Sequence, residues 1–316
     1  MAASGTREIK RRIRSVSNTQ KITKALQTVS AVKMRKAQGR ALAGRPYAEA
    51  AVALLRRLSG LTEEQHPLLR KKDTGLQLLV IFSPDKGLTG GLMTNLSRKV
   101  LEVIEDQKKS KGRKTEVRAI GHEAENFARR AGLNVIKAER SERIDLRRAR
   151  TLKDELVAAY VDGPYDKILL GYMQFVSTLK QRPYVRGILP ITEEKIIDVE
   201  ELAVKVTADQ AIGRNKPTSV IVPAAPLSTE THDLEPSPTA LLNELIPDLV
   251  TMLLYHVFAE SAASEHSARM LAMKNAYDNA TDLIGELTQT FNKLRQESIT
   301  ASLAEISGGV AALETT

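Results

Sequence analysis

The sequence contains no cysteine and no tryptophan. Without a thiol, disulfide scaffolds, cysteine nucleophiles, thiol redox switches and cysteine-ligated zinc are excluded. Aromatic residues make up only 4% of the chain, and residues 1–45 have none. That leaves no stacking platform of the kind single-stranded nucleic acid prefers near the N-terminus. No unbroken apolar run approaches the ~18 residues that span a bilayer. Arg7, Lys10, Arg11, Arg12 and Arg14 interrupt any signal-peptide core. A cytoplasmic chain without direct membrane insertion is therefore expected. Proline is missing from the first 45 and the last 69 residues, and all twelve prolines lie between Pro46 and Pro247. A proline inside a helix costs about 3 kcal/mol, so both ends are free to form long helices.

With 42% hydrophobic and 27% charged residues, a packed core is expected. The net charge of +9 is unevenly placed. Residues 1–60 carry fourteen basic and two acidic side chains, whereas residues 237–316 carry four basic and ten acidic ones. The two ends can attract each other, and the N-terminal segment keeps a basic face for an acidic protein or a phosphate backbone.

The N-terminal segment reads as a helix with an apolar stripe, Ile9, Ile13 and Val16 followed by Ile22, Leu26 and Val29. The step of six from Val16 to Ile22 makes that stripe drift. At the other end, Ser237-Pro238 is an N-cap with proline at the first helical position. Leu241, Leu242, Leu245, Leu249, Leu253 and Val257, then Leu283, Leu287, Phe291 and Leu294, extend the pattern toward the C-terminus. Pro247 is expected to kink its first turns. The alanines between Ala259 and Ala272 suggest the close approach of another helix. Such a helix would be on the order of 120 Å long. It needs a partner for its apolar stripe, and the basic N-terminal helix is the obvious one, giving an antiparallel coiled coil.

The middle alternates strand and helix. Strands are expected at Leu76–Phe82, Glu116–Ile120, Val135–Ala138 and Lys167–Phe175, with edge strands at Val185–Pro190 and Ser219–Val222. Helices are expected at Leu92–Gln107, His122–Arg130 and Leu146–Val161. This is a Rossmann-like α/β layer with a mainly parallel sheet. Prolines from Pro217 to Pro238 mark the return to the last helix. Three segments result: 1–60, 75–225 and 237–316.

No catalytic constellation emerges. The five histidines show no HExxH spacing. The loop Ser83 to Gly91 follows a strand, as phosphate-binding turns do, yet matches neither GxGxxG nor GxxxxGK[ST]. Its glycines equally suit a tight turn. On residues alone, a structural or mechanical interaction protein leads. A basic coiled-coil protein that binds nucleic acid and an enzyme using the glycine loop follow.

Five stretches then become specific. Arg12–Gln38 (RIRSVSNTQKITKALQTVSAVKMRKAQ) resembles the start of the gamma subunit family of F-type ATP synthases. Ser267–Ala280 (SARMLAMKNAYDNA) is similar to that family's most specific signature, and NKLRQESIT and EISGGVAAL continue it. Asp85–Gly91 (DKGLTGG) resembles the family's glycine loop. The resemblance implies a central rotor shaft without a catalytic site or cofactor of its own. Its coiled coil would turn inside a ring of alpha and beta subunits. Its α/β foot would meet the epsilon subunit and the membrane c-ring, peripheral to the cytoplasmic face of a bacterial membrane. It further implies that Arg295, Gln296 and Thr300 engage a beta-subunit loop, that Lys33, Arg35 and Lys36 form the matching basic stretch, and that Asp85, Lys86, Gly87, Gly90 and Gly91 belong to the foot loop. The chain departs from the family pattern at Leu26, Gln27, Lys86, Thr89, Met93 and Ser302. It also lacks the regulatory cysteines of chloroplast-type relatives, which favours a bacterial origin.

Overall fold

The computed structural model describes residues 2–43, 50–51, 54, 66–141, 145–191 and 237–314. In chain order its elements are α1 (Ala2–Ala43), β1 (Leu76–Phe82), α2 (Leu92–Lys111), β2 (Lys114–Ile120), α3 (His122–Arg130), β3 (Asn134–Glu139), α4 (Leu146–Val161), β4 (Lys167–Phe175), β5 (Gln181–Leu189) and α5 (Pro238–Glu314). The expected strand at Ser219–Val222 and the proline-rich return from Pro217 fall outside the described residues. Two compact units are present: Met1–Ala31 with Arg269–Thr316, and Val32–Ala268.

The second unit is built on a five-stranded sheet of order β3-β2-β1-β4-β5. Its first four strands are parallel, and β5 runs antiparallel to β4. The run LQLLVIF forms the central strand because both its faces are covered, the condition under which alternation disappears. Leu78, Val80 and Phe82 join one core with α4 and the 242–258 stretch of α5. Leu79 and Ile81 join the other with α2 and α3. Pro183 is tolerated in β5 because that strand lies at the sheet's edge. Asp145 caps α4 by accepting the Arg148 N–H at 2.8 Å. Gly112, in the left-handed region at φ 62°, ends α2 and carries it four residues beyond Gln107.

Three features of α5 bear on the expectations above. The helix is continuous through Pro247. Small residues after Ala259 also meet the sheet region: Ser264 Oγ donates to the Met173 carbonyl at 2.9 Å, and Ser267 Oγ to that of Thr178 at 2.7 Å. The helix also contains an 18-residue stretch of mean hydropathy 1.3, long and apolar enough to cross a membrane by composition, of which 44% is buried in the fold. Scattered polar residues hide it from a search for unbroken runs. Leu242, Ile246, Leu249, Val250 and Leu254 within α5 are buried in the sheet-side core.

In the first unit, α1 and the distal part of α5 pair antiparallel. Gly5 approaches Leu294, Gln20 Nε2 donates to Thr281 Oγ1 at 2.7 Å, and the Lys24 ammonium sits 4.8 Å from the centroid of the Tyr277 ring. Partner numbers fall as α1 numbers rise. Both helices turn strict 4-3 seams inward. On α5 the seam is Met273, Tyr277, Ala280, Ile284, Leu287, Phe291 and Leu294, and it ends on the polar Ser298. On α1 it is Ile9, Ile13, Val16, Gln20, Thr23, Gln27 and Ser30. The expected α1 stripe is therefore wrong at Ile22 and Val29, while Leu26 is half-buried. The heptad stays in register by turning polar, and it leaves Ile22 60% and Val29 50% exposed. Likewise Ile284, not Leu283, faces inward.

One contact makes a pH prediction. Tyr165 Oη donates to Glu116 Oε2 at 2.5 Å. Burial, and then that carboxylate, push the phenol up to about 12. A folded-state value raised above the unfolded 10.0 contributes stability that is complete below about pH 10 and lost as pH climbs toward about 12. Thermal melts across this range should fall less steeply for Tyr165→Phe than for the wild type. Equal slopes would refute the assignment.

Candidate partner-binding surfaces

On α5, Arg295, Gln296 and Thr300 all face solvent. Gln296 and Thr300, four residues apart, share a helix face. The seam residues Leu294 and Ser298, on either side of Arg295 and Gln296, are half-buried, which fixes the helix rotation and turns these polar side chains outward. The sequence reading missed their surroundings. Ile299, Leu303 and Ile306 are 52%, 62% and 65% exposed. Their spacing of four and three makes one apolar row running on from Arg295. The signal was present as a continuation of helical spacing, but it resembled more seam.

Lys33, Arg35 and Lys36 belong to the other unit. Met34 and Ala37, interleaved with them, are buried, while the three cations are exposed. The alternation presents charge outward without removing α1 from its packing.

The glycine loop leaves β1 at the carboxyl edge of the sheet, where α/β folds often hold ligands. Here the neighbouring helix start is already occupied by the chain itself. Asp85 Oδ1 accepts the His122 N–H at 3.1 Å, Ser83 Oγ accepts that of Ala124 at 2.7 Å, and the Pro84 carbonyl accepts that of Glu123 at 3.2 Å. These are the α3 amides that would otherwise receive an anion. Gly90 adopts φ 60° and Leu88, unusually for a residue with a side chain, φ 65°. Lys86, Gly87, Leu88, Gly90 and Gly91 are exposed, and Leu88 presents an apolar side chain at the tip. The loop has the form of a contact surface more than a phosphate cradle. Among the described residues no group of His, Asp and Glu side chains is arranged to hold a metal ion.

The most elaborate charged cluster lies at the carboxyl ends of β2 and β3. Arg118 pairs with both Glu139 and Glu155. Lys137 bridges the same two carboxylates at 3.2 and 3.0 Å, and Arg148 reaches Glu139 at 3.2 Å. Burial raises the Glu155 carboxyl, but the hydrogen bonds and charges of Lys137 and Arg118 outweigh it and leave the carboxyl below its ordinary value. Cations and carboxylates are mutually engaged there, as in a structural network that ties β2, β3 and α4 together.

A family model described as ATP synthase matches residues 5–313. The ATP synthase gamma chain of Herpetosiphon aurantiacus is 40% identical, over 98% of this chain and 99% of that one. Those of Dehalococcoides mccartyi and Azoarcus are 38% and 36% identical over 97% and 98% of this chain. Among solved structures, a chain of the Euglena gracilis mitochondrial ATP synthase assembly of OSCP, F1 and c-ring superposes with a TM-score of 0.62 at 18% identity, covering 98% of this chain and 95% of that chain. A chain of the Tetrahymena thermophila central stalk and c-ring gives 0.53 over 81% and 99%.

Proposed function

The chain belongs to the ATP synthase family, and from that premise we propose that it is the central rotor shaft of an F-type enzyme, coupling c-ring rotation to conformational change on the beta subunits. The observation that carries this reading is its similarity, along nearly the whole length, to chains named ATP synthase gamma chain. In this reading residues 1–60 and 237–316 supply the coiled-coil shaft and 75–225 the foot. The alpha and beta subunits surround the shaft, and the epsilon subunit and c-ring meet the foot. The chain works without a catalytic site or cofactor, peripheral to the cytoplasmic face of a bacterial membrane. It does not insert into the bilayer or bind nucleic acid.

Outward-facing Arg295, Gln296 and Thr300, beside the exposed row Ile299, Leu303 and Ile306, suit a protein partner that meets polar and apolar groups together. Lys33, Arg35 and Lys36 offer fixed positive charge to acidic loops, a contact that can form and break as a shaft turns. The test is native purification of the tagged chain from its own cells after nuclease treatment. Co-purification of alpha, beta and epsilon subunits with ATPase activity is expected. Recovery of nucleic acid without those subunits would return the basic face of α1 to a phosphate-binding role.

A sharper expectation concerns coupling. Arg295→Ala with Gln296→Ala removes two exposed side chains, so the chain's melting temperature should stay within about a degree of the wild type, as for surface changes generally. Coupled ATP synthesis by the reconstituted complex should fall several-fold. An unchanged synthesis rate in the assembled double variant would remove these residues from the contact.

A further inference from the structure

A cleft of about 650 Å³ lies at the carboxyl ends of β2 and β3, against the first turns of α4. Its volume is in the range of pockets that hold small molecules, and the carboxyl ends of parallel strands are where α/β folds bind them. Ile120 and Leu152 supply its apolar lining. The carboxylates that line it are all engaged. Glu139 pairs with Arg118, Lys137 and Arg148, and Glu155 with Arg118 and Lys137. Asp145 accepts the Arg148 N–H.

The groups left over are donors. Arg118 Nε has no hydrogen-bond partner, although the side chain is only 6% exposed. A buried N–H without an acceptor is rare in a folded protein. Arg147, also in the lining, is exposed and makes no ion pair among the described residues. Asp145 caps the amides of Arg148 and Ala149, which leaves those of Leu146 and Arg147 at the positive end of α4. The start of α3 differs, because Asp85, Pro84 and Ser83 fill its amides. Around the cleft the four cations Arg118, Lys137, Arg147 and Arg148 face the three carboxylates Glu139, Asp145 and Glu155, an excess of one positive charge.

Unused donors and excess positive charge select a negatively charged acceptor. A cation would find no free carboxylate. An apolar ligand would cover the Arg118 N–H without satisfying it. A phosphate group spreads its charge over several oxygens, so it can meet a guanidinium and helix amides at once.

We propose that this cleft binds a phosphate group, free or carried by a small organic ester. Arg147, Arg118 Nε and the first amides of α4 hold the phosphate, and the rest of an ester lies against Ile120 and Leu152. Binding ties α4 to β2 and stabilises the α/β unit. The site does not depend on the rotor reading.

The test is a set of thermal melts of the full chain with inorganic phosphate, adenosine monophosphate or potassium chloride at equal ionic strength. Phosphate well above its dissociation constant should raise the melting temperature a few degrees over chloride. Arg147→Gln should lose at least half of that rise. Arg150→Gln, the same change of charge at an exposed α4 position outside the cleft lining, should keep it. A larger rise with adenosine monophosphate than with phosphate at the same concentration would assign the cleft to an ester, and an equal rise to the free ion. Two results would overturn the site: neither phosphate compound exceeding chloride, or the same loss in Arg147→Gln and Arg150→Gln, which would mark a general effect of charge.

Discussion

Gly121→Ala is expected to destabilise the α/β unit by more than about 3 kcal/mol, adding the strain of a forbidden backbone to overpacking. Gly121 has φ 104°, a conformation side chains rarely adopt. A β-carbon there would lie 2.0 Å from the Ser83 carbonyl oxygen and 2.6 Å from its hydroxyl. Neither can move aside easily. The Ser83 N–H is bonded to the Ile120 carbonyl at 2.8 Å, and its hydroxyl holds the Ala124 N–H at 2.7 Å. Gly121 in turn donates its N–H to the Glu139 carbonyl at 2.8 Å. The substitution would force apart β1, β2, β3 and the start of α3 where they converge. Urea unfolding of the full chain measures the loss. The control is Gly87→Ala, where nothing lies within 4 Å of the added carbon and a change within about 0.5 kcal/mol is expected. Equal stabilities for the two variants would show that the convergence at Gly121 yields without cost.

The same glycine shows what could be read in advance. GHE after a strand marks a turn into α3, and the bounds His122–Arg130 came from composition alone. That Gly121 is required by Ser83, nearly forty positions away, is a tertiary fact with no local signal. The elements of the sheet were legible because the middle of the chain alternates buried runs with amphipathic ones. The coiled coil was legible in kind but not in face. The apolar residues Ile22 and Val29 drew the α1 stripe away from the heptad, whereas the fold keeps period 3.5 by turning Gln20, Thr23, Gln27 and Ser30 inward. Periodicity of apolar residues finds a seam only where the seam is apolar, and Gln20 is held by a hydrogen bond to Thr281. The candidate contacts Arg295, Gln296 and Thr300 came from resemblance; nothing in their spacing separates them from any solvated helix face. The structure adds the exposed row Ile299, Leu303 and Ile306 beside them, which spacing alone had assigned no role. His256 shows another limit of the pattern. Its neighbour Glu260, one turn away on the same helix, is buried, and burial of a charge cannot be read from a helix pattern.

Asp166→Ala should destabilise the same unit by about 3–5 kcal/mol, the loss that follows removal of one member of a buried ion pair. The Asp166 side chain is fully buried and that of Arg113 is 11% exposed. A single oxygen, Oδ2, accepts from Arg113 Nε at 3.2 Å, Arg113 Nη2 at 3.1 Å and the Gly75 N–H at 3.0 Å. Asp166 also donates its own N–H to the Leu76 carbonyl at 2.9 Å. One carboxylate therefore fixes the start of β1, the turn into β2 and the entry to β4, at the edge of the sheet opposite the glycine loop. Removing it leaves the Arg113 guanidinium with Asp73 at 3.9 Å, whose side chain is 95% exposed and too well solvated to replace it. The backbone donor at Gly75 is orphaned as well. Asp166→Asn, which can still accept these bonds but carries no charge, should lose less. Arg113→Met in the Asp166→Ala background should recover part of the loss, because the guanidinium then no longer needs a counter-charge. Denaturant melts of the wild type, Asp166→Ala, Arg113→Met and the double variant close this cycle. A cost for Asp166→Ala below about 1 kcal/mol, the worth of an exposed pair, would mean that Arg113 reaches solvent when its partner is lost. An added penalty in the double variant would mean that the guanidinium stabilises the turn by packing its stem rather than by its charge. If the pair behaves as its burial requires, this edge of the unit is fixed by one ion pair, and the exposed glycine loop at the opposite edge can be altered to test partner binding without disturbing it.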